Sequence, residues 1–481
     1  MRFPFGIVLS VPVYFLTMPA AAATHHVPEQ YATIQAAIDA SMAGDSILVA
    51  QGDYQESLVI SSKSLSIFAV PGDSVRVYGL DHSENRLTIT GAPGDVVFVR
   101  DISFEKGKRI IYCIGASLIL HGCILKDAST TYWGAGLYCE GAFQLLIENC
   151  LIEDCWSLEG ENQGGGGGMY LTNLTSVLIR NSRIEDNVAT DQFRTGDRGS
   201  ANGGGINAHD IDFLTLLNCS VSENSAYGYG GGIFCHCDHL ILKNCVFAGN
   251  SAYSNGKAMY IRSSASGLLI NSIVTSENTA SLIQVHSYSV PLEVSFCNIA
   301  DSISSVWGPC SWGSGNLDED PMFEAGPFGE YHLSVPSPCI DAGDPALTYN
   351  DPEDPDHPGF ALWPAMGLMR NDMGMFGGAG CGDWVSVMET DLRLSTGNLL
   401  LACRPNPALG HATISVGLPT PTEARLLVYD MAGRLVRTVF SGCITDSRTD
   451  WLLDAESLPA GIYTILLVAE QQIRLLRIAL L

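Results

Sequence analysis

Positive charge is scarce in this sequence. Its 481 residues hold 25 lysines and arginines against 51 aspartates and glutamates, a formal net charge of −26. Such a surface repels the phosphates of nucleic acids and anionic membranes, so nucleic-acid binding is excluded and cations or neutral molecules are favoured as partners. Charge of either sign is thin, at 16% of residues, whereas glycine is plentiful at 50. That balance disfavours helices with a charged face and suits stacked β-turns built from short apolar runs. Beyond residue 23 no stretch of spanning length is free of charges and glycines, which excludes a transmembrane segment in the mature chain.

What is present begins with an export signal. Arg2 precedes a mostly apolar run from Phe5 to Met18, and Ala21-Ala22-Ala23 offers small residues for cleavage before Thr24. The run is short for a membrane anchor, and the segment holds Pro4 and Pro12. Fifteen cysteines are an odd set. Export permits disulfides, but the repeat described next gives most of these thiols a place in the core.

Five segments share Asn, then Cys or Ser, any residue, and an aliphatic or Phe: Asn149–Ile152, Asn181–Ile184, Asn218–Val221, Asn244–Phe247 and Asn271–Val274, with a weaker copy at Gly122–Leu125. Each follows a glycine cluster and a strand. The strands align at Leu137, Met169, Ile206, Ile233 and Met259, and again two residues on at Cys139, Leu171, Ala208, Cys235 and Ile261. Both columns are apolar at period two, as one buried face requires. The Asn-to-Asn shifts of 32, 37, 26 and 27 residues fit one solenoid coil per repeat, with insertions in two coils. Asn at a recurring corner tolerates left-handed backbone and is expected to hydrogen-bond the next Asn along the stack. Thr33–Asp39 reads as a short amphipathic helix, capped near Thr33, that covers the open end of the core.

Together these segments resemble the pectin-lyase-like superfamily of right-handed parallel β-helices from about Val27 to Asp383. The stretch Gly230–Ile233 with Phe247–Asn250 also resembles repeats of polymorphic outer-membrane proteins, without their membrane-barrel terminus. Asp320–Phe323, Ser337–Asp344 and Asp372–Gly377 resemble the terminal segment of bacterial β-helix proteins. Arg404–Pro407, Val428–Arg434, Leu458–Tyr463 and the final Ile473–Leu481 resemble the type A C-terminal sorting domain of the type IX secretion system. That resemblance implies contact with the secretion machinery and passage to the cell surface or the medium. The expected layout is a signal peptide over 1–23, a β-helix with a helical cap over 24–315, a terminal coil and acidic Pro/Gly-rich cap over 316–388, a linker over 389–403, and an immunoglobulin-like sorting β-sandwich over 404–481. The fold class is all-β.

Candidate chemistry gathers at one corner. Asp127, Asp154, Asp186 and Glu223 occupy one place in four successive coils, ~4.8 Å apart if the coils stack. Such crowding raises pKa values or recruits a cation such as Ca²⁺, and paired carboxylates suit glycoside hydrolysis; a solvated acidic edge is the plain alternative. The two insertions emerge beside this column. The segments there carry Tyr132, Trp133, Trp156, Phe193, Tyr227, Tyr229 and Tyr253, and exposed aromatics among carboxylates suit sugar rings. The plain alternative is that these rings pack the loops. Arg194 and Arg198 beside Asp186 are the candidate base of a lyase. A second acid group, Asp351, Asp354 and Asp356, offers hard oxygen ligands for Ca²⁺. Cys235-His236-Cys237-Asp238-His239 looks like a metal cluster, but alternation divides its side chains between two faces, and core packing is the better reading. The leading expectation is a secreted or surface-displayed protein that recognises a polysaccharide or cell-surface glycan at the aromatic and acidic edge. A polysaccharide lyase or glycosidase at the same edge, and a structural adhesin without a pocket, stand beside it.

Overall fold

The computed structural model describes residues 23–159, 165–191, 201–276, 280–326, 328–355 and 357–381. In the C-terminal part it describes 400–404, 411–417, 422–430, 435–444, 448–454, 458, 461–469 and 472–480. The expected export signal lies almost wholly outside these residues. The chain divides into two compact units, 1–387 and 388–481.

The first unit is a stack of coils whose strands pair in parallel with their counterparts in the next coil. A representative coil bends within Ile206–Leu217, continues through Ser220–Ser222 and ends at Ser225–Ala226. Its four segments belong to four ladders, called first to fourth in that order. The first ladder runs in register through Ile111, Leu137, Met169, Ile206, Ile233, Met259 and Ile283, and Cys113, Cys139, Leu171, Ala208, Cys235, Ile261 and Val285 follow two residues on. These columns fill one continuous core. Each buried Leu or Ile there contributes roughly 1.5–3 kcal/mol.

Left-handed residues make the corners. The second-to-third corner is held by Asn149, Asn181, Asn218, Asn244 and Asn271, at φ between 47 and 54°. The third-to-fourth corner is held by Asp127, Asp154, Asp186 and Glu223, at φ between 53 and 57°. Asn and Asp accept this conformation because their short polar side chains bond locally.

The expected asparagine ladder lies in a different column. Asn187 Nδ2 donates to Asn224 Oδ1 at 3.0 Å and Asn224 Nδ2 to Asn250 Oδ1 at 3.1 Å. Backbone carbonyls of Ile152, Ile184 and Val221 take further bonds from the three amides. The amides sit one residue past the third-to-fourth corner, held by Asp186, Glu223 and Gly249, and all three are buried yet satisfied. Three of the corner asparagines bond instead to a segment from far along the chain. Asn218 Nδ2 donates to the carbonyls of Met375 and Gly377, Asn244 Nδ2 to Asn371 Oδ1 and Asp372 O, and Asn271 Oδ1 accepts from Asp344 N–H. Residues 316–381, expected to be the last coil and cap, thus contribute a return segment that runs back along this corner.

Thr33 Oγ1 accepts the Ala36 N–H at 3.1 Å and caps the helix Ile34–Ala40, whose Ile34, Ala37 and Ile38 are buried. Glu56 holds the N–H groups of Ile34 and Gln35, both at 2.9 Å. The cysteines behave as small core residues. Cys123, Cys150, Cys219 and Cys245 are buried and free, and Ser182 and Ser272 serve their column equally well by accepting the N–H of Cys150 and Cys245. The second unit is two antiparallel sheets, Leu400–Arg404, His411–Gly417 and Arg448–Asp454 in one, Thr422–Asp430, Leu435–Ile444, Gly461–Ala469 and Gln472–Leu480 in the other. Inward residues such as Ile414, Leu426, Val428, Ile465 and Leu467 form its core.

Candidate functional site

The fourth ladder carries the candidate site. Ser129, Trp156, Val188, Ser225 and Ser251 form its outward column. Trp156 is 47% exposed. Its alternate neighbours Cys155 and Ser157 are buried, so the strand period alone turns the indole outward. Two coils on, Tyr227 and Tyr253 extend the strip beyond Ser225 and Ser251. Their rings stack with centroids 5.1 Å apart and planes 14° apart, and Tyr253 is 62% exposed.

The acid column borders this strip, two residues ahead of Trp156 in the same coil. All four acids are exposed. Partial burial raises the Asp186 pKa, and the charge of Asp154 in the preceding coil raises it further. At the N-terminal end of the column, Asp127 Oδ1 lies 2.9 Å from His82 Nε2. At the other end the corner of the next coil belongs to Gly249, and the Glu223 carboxylate occupies the space a side chain there would need.

Both insertions leave and rejoin the stack at one corner. Glu159 pairs with Asp191 where they begin, and Gly165 pairs with Asn202 where they end. Phe193, Arg194 and Arg198 fall between these anchors, outside the described residues.

The expected grouping of Trp133 with Trp156 is not formed. Trp133 stacks on Tyr170 at 5.2 Å and 16°, and Tyr229 packs against Tyr260 at 4.9 Å. The reason is local. Trp133 directly precedes Gly134, whose φ of 64° turns the chain into the first ladder, whereas Trp156 still belongs to the fourth. Tyr132 remains 44% exposed, with Lys108 Nζ 4.9 Å and Arg109 Cζ 5.5 Å from its ring centre.

Trp133 and Tyr229 thus join an outer column on the first ladder that the sequence reading missed. Tyr112, Tyr138, Tyr170, Phe234 and Tyr260 lie along it; Asn207 stands in register between Tyr170 and Phe234, and the ring of His209, two residues on, bridges them, so that successive centroids are 5.1 to 5.6 Å apart. Its signal was available. Leu137-Tyr138-Cys139, Met169-Tyr170-Leu171, Ile233-Phe234-Cys235 and Met259-Tyr260-Ile261 each place an aromatic ring between two inward residues.

The expected calcium ligands fall only in part within the described residues. Asp351 accepts the N–H groups of Asp372 and Gly378, Asp354 Oδ2 lies 2.8 Å from His357 Nδ1, and Asp356 lies outside the described residues. Among the described residues no group of three or more His, Cys, Asp or Glu side chains is placed to hold a metal ion. Cys235 and Cys237 are buried, while His236 lies on the outer face, its Nδ1 3.4 Å from Asp210 Oδ1.

Residues 82–299 match the family described as a right handed beta helix region, and residues 404–478 match the secretion system C-terminal sorting domain. No curated protein matches the chain. Two crystal structures of a pectin methylesterase, one in complex with hexasaccharide VII and one a mutant in complex with hexasaccharide IV, are similar at 12% identity. The match covers 60% of this chain and 80% of theirs, with TM-scores of 0.26 and 0.27. Scores this low carry no residue or ligand across.

Proposed function

Starting from a right-handed β-helix protein whose C-terminal sorting domain marks it for type IX export to the cell surface or the medium, we propose that the fourth-ladder strip binds a polysaccharide or cell-surface glycan. The observation that carries this reading is Trp156, an outward indole 47% exposed beside Asp154 and Asp186. A sugar ring offers an apolar face to such an indole and hydroxyl donors to carboxylates. Trp156 and the Tyr227–Tyr253 pair stand two coils apart, about 10 Å, a separation suited to successive residues of one chain. Tyr132 is the further candidate at the rim.

Replacing Trp156 with Ala should weaken glycan binding by ~1–3 kcal/mol, the scale of one large aromatic contact, while the melting temperature hardly moves. Glycan-array signal and calorimetric titration with the best-binding oligosaccharide read this directly. A large loss of stability with unchanged binding would overturn it.

A glycoside hydrolase reading rests on a separate observation. Asp154 and Asp186 are carboxylates of adjacent coils, and burial together with the neighbouring charge raises one of them, as an acid and its partner require. New reducing ends from a polysaccharide panel, lost on Asp186→Asn, would favour hydrolysis over simple recognition. The signal peptide over residues 1–23 is part of the same proposal, since a sorting domain acts on chains that have already left the cytoplasm.

A further inference from the structure

A groove of about 400 Å³ opens on another side of the coil, at the first-to-second corner, lined in part by Asn173, Thr175, Asp210, Asp212, His236 and Asp238. It arises from unequal bends in successive coils. Ala208 faces Cys235 and Ile211 faces Cys237, so two residues of one coil stand against one of the next. The following coil is again the longer, because Cys237 faces Ser263 and His239 faces Ser266. The short middle coil leaves the wall notched, as β-bulges beside binding sites often do.

An open ring face stands at the edge of this notch. Ser176, Phe213, His239 and Ser266 share one outward column of the second ladder. Phe213 and His239 stack at 4.7 Å and 8°, and His239 Nδ1 lies 2.8 Å from Ser266 Oγ. On its other side Phe213 has only Ser176 in register, and it is 49% exposed. The groove beside it is polar and acidic. His236 pairs with Asp210, Ser264 Oγ donates to Asp238, and the lining includes no lysine or arginine among the described residues.

These features select a ligand class. A bare metal ion is not matched, because the described His, Cys, Asp and Glu side chains do not converge on a point. A flat apolar ring beside a rim of acceptors suits a pyranose, and three carboxylates facing a single imidazole suit a ligand that brings its own positive charge. We infer that the groove is a binding subsite for an amine-bearing sugar, with the ring on the free face of Phe213 and the ammonium among Asp210, Asp212 and Asp238. It shares no residue with the fourth-ladder strip and does not rest on that reading.

Calorimetric titration of the full exported chain at low salt tests this with three probes: a glucosamine hexamer, its N-acetylated form and hexalysine. The glucosamine hexamer should bind best. Phe213→Ala should weaken it at least tenfold, Phe213→Tyr should retain it, and Asp212→Asn with Asp238→Asn should erase the preference over the N-acetylated form. All these positions are exposed, so melting temperatures should stay within a degree or two. Trp156→Ala should leave this titration unchanged, which separates failure here from failure of the fourth-ladder site. Absent binding, or binding indifferent to Phe213→Ala and to the Asp pair, would overturn the inference in favour of diffuse attraction to an acidic protein. Equal, Phe213-dependent binding of hexalysine would reassign the groove to basic peptides.

Discussion

Two groups of aspartates in this protein meet opposite environments. Asp127, Asp154 and Asp186 stand at the exposed corner of the coils, and their shared feature is a left-handed backbone. In the return segment Asp351 and Asp372 are 3% and 1% exposed. Asp351 accepts N–H groups from Asp372 and Gly378, and Asp372 accepts from Asp341 and Met366, both at 2.7 Å. Asp341 in turn accepts the Leu368 N–H. The exposed acids face solvent, Asp127 beside His82, whereas the buried ones stand in for a missing sheet by satisfying backbone donors that no ladder reaches. Acid clusters of similar composition therefore differ in purpose, and the distinction lies in what donates to them.

The largest expected effect follows from removing a buried acceptor. Asp372→Ala leaves the half-buried N–H groups of Asp341 and Met366 without their carboxylate partner and should destabilise the first unit by about 2 kcal/mol, read by denaturant unfolding and by earlier protease cleavage within the return segment. Asp154→Asn, which keeps a residue tolerant of the left-handed corner, should change stability by less than about 0.5 kcal/mol. Similar losses from both would dissolve the contrast.

A second test uses pH. Burial raises Asp351 to about 9 and Asp372 to about 7, each with a neighbouring carboxylate adding to the rise. Groups whose folded pKa is raised give stability that is complete below the unfolded value near 4 and is lost as pH climbs through the folded one. The return segment should therefore be firmest near pH 4–5 and loosen progressively towards pH 9. The melting temperature of the first unit across that range checks the sign, and Asp351→Asn should flatten the slope. A melt that rises between pH 5 and 9 would contradict the account.

The smallest effect concerns the exposed column. Asp186→Asn removes a like charge beside Asp154 and should leave the melting temperature unchanged or raise it slightly, within about 0.5 kcal/mol. In an NMR titration Asp154→Asn should lower the apparent pKa of Asp186, because the neighbouring negative charge is gone.

The coil was legible in the sequence because its determinants are local and repeated. Leu137 and Met169 align, as do Asn149 and Asn181, because each coil solves the same problem with the same residue types. The acid column was legible for the same reason, although its first cause is conformational: Asp at φ near 55° makes the corner whether or not a ligand binds. The return segment was not legible. Asn218 meets Met375 across 157 positions, and nothing in either neighbourhood announces the other. Trp133 was misplaced for a subtler reason. One residue at a corner decides which ladder a side chain faces, and a left-handed glycine beside it was read as spacing rather than as direction.

The bonds from the return segment to Asn218, Asn244 and Asn271 also have a mechanical consequence. Pulled along its axis, a plain solenoid yields one coil at a time, because each coil is held only by its neighbours. Here three successive coils are fastened to a single strip, so they cannot peel separately until that strip lets go. Drag on such a protein outside the cell would first be met as one larger rupture rather than as a series of small ones.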